Sequence, residues 1–166
     1  MKKLIALITI FSLAGVTAFA YPNSDVKTYY SKQFNHGISF NKIVVADDID
    51  LVVYENATSN IQFDGTDENV AKVDWKIKNG VLYLKSKQGS LKNKVLVTLD
   101  VRELKEIVIE GKSNVRSLGN LNSPNLSVVM REDCFVAIRN YGAIRIIRAN
   151  DIDVDVLEKE GRITIL

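Results

Sequence analysis

In 166 residues the chain has one cysteine, one histidine and one tryptophan. Cys134 cannot bridge within the chain, so no disulfide framework holds the fold. No cysteine stands where a bacterial lipoprotein would carry its lipid, which argues against lipid attachment. His36 lies beside Gly37 in a polar stretch, without a cysteine or carboxylate at ligand spacing, and reads as a solvated loop residue rather than a metal ligand or catalytic base. An excess of one charge is also missing. Removing Lys2 and Lys3 with an N-terminal leader leaves 20 basic residues against 20 acidic ones. A neutral chain offers no electrostatic footprint for nucleic acid, which needs clustered positive charge. No amphipathic helix of ordinary length is visible; only residues 67–72, where Asp67-Glu68-Asn69 can open one helical turn, are ambiguous.

The one long apolar run sits at the N-terminus. Lys2 and Lys3 precede an uninterrupted apolar or small-residue stretch over residues 4–16, and Ala18-Phe19-Ala20 places small residues at the −3 and −1 positions of a cleavage site. This is the pattern of a secretory signal peptide over residues 1–20. Read as an anchor, the run falls short of the ~20 residues that cross a bilayer. The mature chain is expected to begin at Tyr21, to keep no membrane span, and to reach the periplasm or outer cell surface. Residues 21–39 are polar and aperiodic and read as a flexible lead-in; residues 40–166 read as a single domain.

Strand-like segments follow at 42–46, 49–54, 60–63, 73–78, 81–85 and 95–101, punctuated by Asp47-Asp48, Asn56, Asp64-Gly65, Asn79-Gly80 and Gly89-Ser90. Asn79-Gly80 is the sharpest turn signal, because a two-residue loop with positive φ at both positions suits that pair. Pairing outward from it sets Ile77 against Leu82 and Trp75 against Leu84 on one face, with Lys76 and Tyr83 on the other. Trp75 then reads as a core anchor rather than a sugar-stacking platform.

The C-terminal half repeats. Ile107-Val108-Ile109, Leu126-Ser127-Val128, Ile144-Arg145-Ile146 and Ile163-Thr164-Ile165 recur at offsets of 19, 18 and 19 residues. A near-constant period of that size marks a solenoid, in which each coil buries its apolar side chains against its neighbours. Aligning Asn114, Asp133 and Asp151 puts Val115, Cys134 and Ile152 in one inward column and Ser117, Val136 and Val154 in another, with Arg116, Phe135 and Asp153 outward. Cys134 is thereby expected to be a small core residue rather than a reactive thiol. Asn114, Asp133 and Asp151 would stack at one corner about 4.8 Å apart, as turn-capping residues. Asp133 and Asp151, with Glu132, are also the carboxylates that a hard cation such as Ca²⁺ would need, but the glycine-rich calcium nonapeptide is absent, and no metal or cofactor is expected. Asp151, Asp153 and Asp155 read as the wet face of a strand whose dry face is Ile152, Val154 and Val156. Asn56-Ala57-Thr58 fits a glycosylation sequon, a short and unspecific pattern.

The run Lys78-Asn79-Gly80-Val81-Leu82-Tyr83-Leu84, then Val95-Leu96-Val97-Thr98-Leu99, then residues 104–115 with Glu110-Gly111-Lys112-Ser113-Asn114, resembles the putative auto-transporter adhesin head GIN domain family. The resemblance covers most of the chain after Phe40. It implies an exported protein of Bacteroidetes-type bacteria, with a right-handed parallel β-helix built after a set of N-terminal strands. The family's Ser-Gly-type turn is matched at residues 110–114 and departed from at Arg131-Glu132-Asp133-Cys134 and Arg148-Ala149-Asn150-Asp151, where the glycine is missing.

The expectation is therefore an all-β, right-handed parallel β-helix (β-solenoid) with N-terminal strands that include an antiparallel hairpin. Its function is expected to be that of a non-enzymatic cell-envelope or surface module contacting a protein or glycan partner through a flat face at Arg116, Phe135 and Asp153. A polysaccharide-acting enzyme using Asp133, Asp151, Arg148 and Lys112 is the alternative from another class, by analogy of fold. A structural module that self-associates through the strand at residues 162–166 is the third, because an uncovered solenoid end invites pairing.

Overall fold

The computed structural model describes residues 29–35, 37, 39–56, 58–87, 91–149 and 163–166. The fold is all-β and built as two mixed sheets. The first sheet has, in spatial order, β1 (Tyr29–Asn35), β4 (Asn60–Thr66), β7 (Val95–Asp100), β3 (Ile49–Tyr54), β9 (Asn114–Leu121) and β11 (Phe135–Asn140). The second has β13 (Ile163–Ile165), β12 (Ala143–Arg148), β10 (Asn125–Met130), β8 (Glu106–Ile109), β2 (Lys42–Val45), β6 (Val81–Ser86) and β5 (Val73–Lys78). One helical turn, α1 (Asp67–Lys72), joins β4 to β5, with acidic Asp67 and Glu68 at its start and Lys72 at its end, as the helix dipole favours.

From β8 to β12 successive strands alternate between the sheets, and β8, β10, β12 and β13 all pair in parallel, as do β9 and β11. The four repeating segments thus run one way. The parallel stack also extends further back than the repeat suggests. β2 pairs in parallel with both β6 and β8, and β3 with both β7 and β9. The β2–β3 unit is therefore inserted between β6–β7 and β8–β9, although it precedes both in the chain. Among the described residues antiparallel pairing is confined to β1–β4, β4–β7 and the β5–β6 hairpin. That hairpin has the expected register, Ile77 to Leu82 and Trp75 to Leu84, and its turn residues Asn79 and Gly80 have φ of 53° and 73°.

Like stacks on like in the core. Leu82, Ile43, Ile107, Val128 and Ile146 form one inward row across the second sheet, and Phe63, Val97, Leu51 and Val115 one across the first. All are buried, and each contributes ~1.5–3 kcal/mol by leaving water.

The register corrects the repeat alignment. Leu126, Ile144 and Ile163 are partners as aligned, but Ile107 pairs with Val128, not Leu126. Val115 likewise pairs with Val136, not Cys134, and Phe135 faces Asn114, not Arg116. The slip is two residues both times. Its cause is a bulge in β9, where Arg116 pairs with Ala137 but Asn120 with Arg139, so β9 spends two residues more than β11; Gly119 within it has φ of 81°. An even slip leaves every side chain on its expected face.

Residues 21–39, expected as a flexible lead-in, contain β1, which pairs with β4 along its whole length. Its inward positions opposite Phe63 and Ile61 are Lys32 and Phe34, so no apolar alternation announces it. The leader at 1–20 and Asp151, Asp153 and Asp155 lie outside the described residues.

Candidate functional site

The outer face of the first sheet near its β11 edge concentrates exposed bulk. Phe135 is 52% exposed and Leu118 57%, Arg116 is exposed, and Tyr141 just beyond β11 is 66% exposed. Arg116 lies one outward position along from Asn114, diagonal to Phe135 rather than level with it. Asp153, the third expected member of this face, lies outside the described residues.

Phe135 stands on a braced row. Its partner Asn114 donates its backbone N–H to Asp50 Oδ1 at 2.8 Å and its side-chain amide to Asp50 Oδ2 at 3.1 Å. Lys94 Nζ pairs with Asp50 Oδ1 at 2.8 Å and also donates to the Lys112 carbonyl at 3.0 Å. Asp50 thus ties β3, β9 and the corner after β8 into one unit. The expected stack of Asn114 with Asp133 is replaced by this bracket, and Asp50 gave no signal in sequence beyond its place within a strand-like segment.

Cys134 occupies the corner before β11 rather than the strand column, half-buried and packed against the core. Burial, with the Asp133 carboxylate adding to it, pushes its thiol up to about 11. A thiol so raised is protonated at pH 7 and a poor nucleophile. Thiol labelling at pH 8 is expected to run about a hundredfold slower than for a free cysteine of pKa about 8.5, and to accelerate above pH 10. Labelling at the free-cysteine rate would show an open corner.

Other polar groups hold corners together. Glu55 accepts from both nitrogens of Asn122, at 2.7 and 2.6 Å. Buried Asn140 donates to the Ser123 carbonyl at 2.8 Å and accepts from the Ser123 amide at 3.1 Å, clamping one corner to the next. A groove of about 700 Å³ runs beside Glu55, Arg102, Lys105 and residues 122–125, but Glu55 is committed to Asn122, and Arg102 donates to the Asn56 carbonyl. At the opposite edge, half-buried Trp75 meets Phe34 and Phe63 with ring centroids 5.8 and 6.3 Å away, closing that end of the core.

The described residues thus form a two-sheet all-β scaffold whose outer strands are exposed and whose corners are braced by polar groups. The family model described as putative auto-transporter adhesin, head GIN domain, matches residues 39–163, and the chain belongs to that family. Among solved structures it is similar to a putative adhesin of Parabacteroides distasonis (14% identity, TM-score 0.62, covering 74% of this chain and 57% of that one). It is similar also to a putative adhesin of Parabacteroides merdae (17%, TM-score 0.59, covering 72% and 57%). A third is a putative lipid binding protein of Parabacteroides distasonis (12%, TM-score 0.56, covering 82% and 59%). At these identities the likeness is one of fold, and the chain spans under three-fifths of the length of each. No curated protein matches the chain. Among the described residues no helix is long and apolar enough to cross a membrane.

Proposed function

We propose that the protein is an exported, non-enzymatic binding module of adhesin type. Its scaffold is read as a short right-handed parallel β-helix, and its partner, a protein or glycan, as held on the outer face around Phe135 and Arg116. The alternation of parallel strands between two sheets supports the helix, and right-handedness follows the rule for parallel crossovers. Family membership supports the adhesin class and export. The observation that carries the reading is Phe135, a large ring half in water at the start of edge strand β11, opposite the braced Asn114, where an aromatic with an arginine nearby is the usual anchor of a protein contact. The conspicuous acids support a scaffold rather than a reaction centre: Asp50, Glu55 and Asp100 are all spent on backbone and side-chain donors.

The test is capture of partners from the native envelope by the wild type and by Phe135→Ala. Truncation is expected to leave the melting temperature within a few degrees, since the ring is exposed, and to weaken capture by tenfold or more, the ~1.4 kcal/mol of a modest anchor. Undiminished capture with unchanged stability would remove Phe135 from the contact. A second contact is read at β13, the edge of the second sheet, where Ile165 is 43% and Leu166 58% exposed. Concentration-dependent dimerisation is expected in sedimentation; a monomer at high concentration would contradict it.

A further inference from the structure

The far edge of the molecule, away from Phe135, has a feature that the adhesin reading does not use. Where β1 of the first sheet and β5 of the second part company, with α1 beside them, a half-open recess of about 260 Å³ remains. Phe34, Phe63 and Trp75 line it as a cluster of rings. Lys32, Asp67, Asp74 and Lys87 also line it.

Lys32 comes from an inward position of β1, the partner of buried Phe63, and its Nζ lies 4.8 Å from the Phe34 ring centroid. An inward lysine on an edge strand can by itself be a guard against strand pairing. Here it converges with a second ammonium and two carboxylates on a concave surface with aromatic walls, which is the composition of a small-ligand site. Among the described residues neither the Asp67 nor the Asp74 carboxylate has an ion-pair or hydrogen-bond partner. Lys87 Nζ donates to the Ala71 carbonyl at 3.3 Å and keeps two further N–H groups.

Two positive and two negative groups give no preference for a charged ligand. They supply donors and acceptors together, as a polyhydroxyl ligand requires. The rings supply electron-rich faces for an apolar, weakly positive C–H surface. At about 260 Å³ the recess falls just below the usual small-ligand range of about 300–1,000 Å³, suiting one ring rather than a chain. We infer that this recess binds a single pyranose residue of a glycan, stacked on Trp75, with Asp67 and Asp74 accepting from its hydroxyls and Lys32 and Lys87 donating to them. The site is separate from the Phe135 face and does not depend on it.

Trp75 is the chain's only tryptophan, so all tryptophan emission comes from the wall of this recess. The full mature chain is titrated with the methyl glycosides of glucose, galactose, mannose and N-acetylglucosamine, and in parallel with decanoate as an apolar probe. At least one glycoside is expected to shift the emission saturably. The double variant Asp67→Asn with Asp74→Asn, which leaves the rings in place, is expected to weaken that response about tenfold or more. Phe135→Ala is expected to retain it in full. Glycosides silent both in emission and at the Trp75 indole N–H resonance would overturn the inference. So would an unchanged midpoint in the double variant, a response to decanoate alone, or loss of the response in Phe135→Ala.

Discussion

Gly111→Ala is expected to destabilise the protein by about 3 kcal/mol or more, far beyond the usual glycine-to-alanine change. A Cβ at Gly111 would fall within 3.0 Å of the carbonyl oxygen and amide nitrogen of Asp47, where backbone meets backbone and no side chain can swing aside. Gly111 lies in the corner between β8 and β9, and Asp47 in the corner between β2 and β3, one layer away in the stack. Neither corner can retreat. Asp47 has a positive φ of 62°, accepts the Ser86 amide on its Oδ2 at 2.7 Å, and receives the Ser113 hydroxyl on its carbonyl at 3.2 Å. Gly142 repeats the arrangement at the opposite corner, against the backbone of Ser123 and Pro124, and Gly142→Ala is expected to cost a similar amount. Gly119, in the β9 bulge, has open space around it and serves as the control whose alanine variant meets only backbone strain. Chemical denaturation of the three variants checks this; near-wild-type stability of Gly111→Ala and Gly142→Ala would show that the corners do not stack closely.

Asp100→Asn is expected to cost about 2–4 kcal/mol at pH 7, despite being nearly isosteric. The carboxylate is 2% exposed and accepts four hydrogen bonds: Asn56 N–H on Oδ1 at 2.8 Å, and Thr58 N–H, Ser59 N–H and the Thr58 hydroxyl on Oδ2 at 2.8, 2.8 and 3.0 Å. An amide in its place must turn its NH₂ towards donors on one side or the other. Burial works against ionisation of Asp100, but the amides of Asn56, Ser59 and Thr58, with the Thr58 hydroxyl, outweigh it and hold the carboxyl below its usual range. A lowered folded pKa means that the group's contribution is fully present above the unfolded value of about 3.9 and is lost as the pH falls through the folded value. Melting curves between pH 2 and 7 should therefore show an acid limb in the wild type that is shallower in the variant. Parallel acid limbs would mean that Asp100 is not the group responsible.

How much of this was legible in the sequence depended on whether a signal was local. Asn79-Gly80 specified its hairpin and register because two residues with positive φ determine how the flanking strands meet. Inward and outward faces were legible in the described part of the repeat, since side-chain alternation survives any even slip, and Phe135 and Arg116 are outward as expected. Register in the first coil of the repeat was not legible. The bulge at residues 117–119 and one extra residue in the following corner lengthen the first coil, and neither has a hydrophobic signature. The place of β2–β3 between two later units was hidden for another reason: spatial order need not follow chain order, and Ile43 suits any neighbouring isoleucine or leucine equally. Asp50, Asp100 and Asn140 look like ordinary turn and strand residues until the donors that they satisfy, 17 to 64 positions away, come into view.

The arrangement of parallel layers with the stated partners is what braces the row under Phe135 and sets Arg116 beside it. Through-space contacts between backbone protons, measured by NMR on the labelled protein, test it most directly. Amide-to-Hα contacts are expected between β8 and β10 around Ile107 and Val128, and between β9 and β11 around Val115 and Val136. Strong Hα-to-Hα contacts between β8 and β10, the mark of strands running in opposite directions, or contacts that set Ile107 against Leu126, would contradict it.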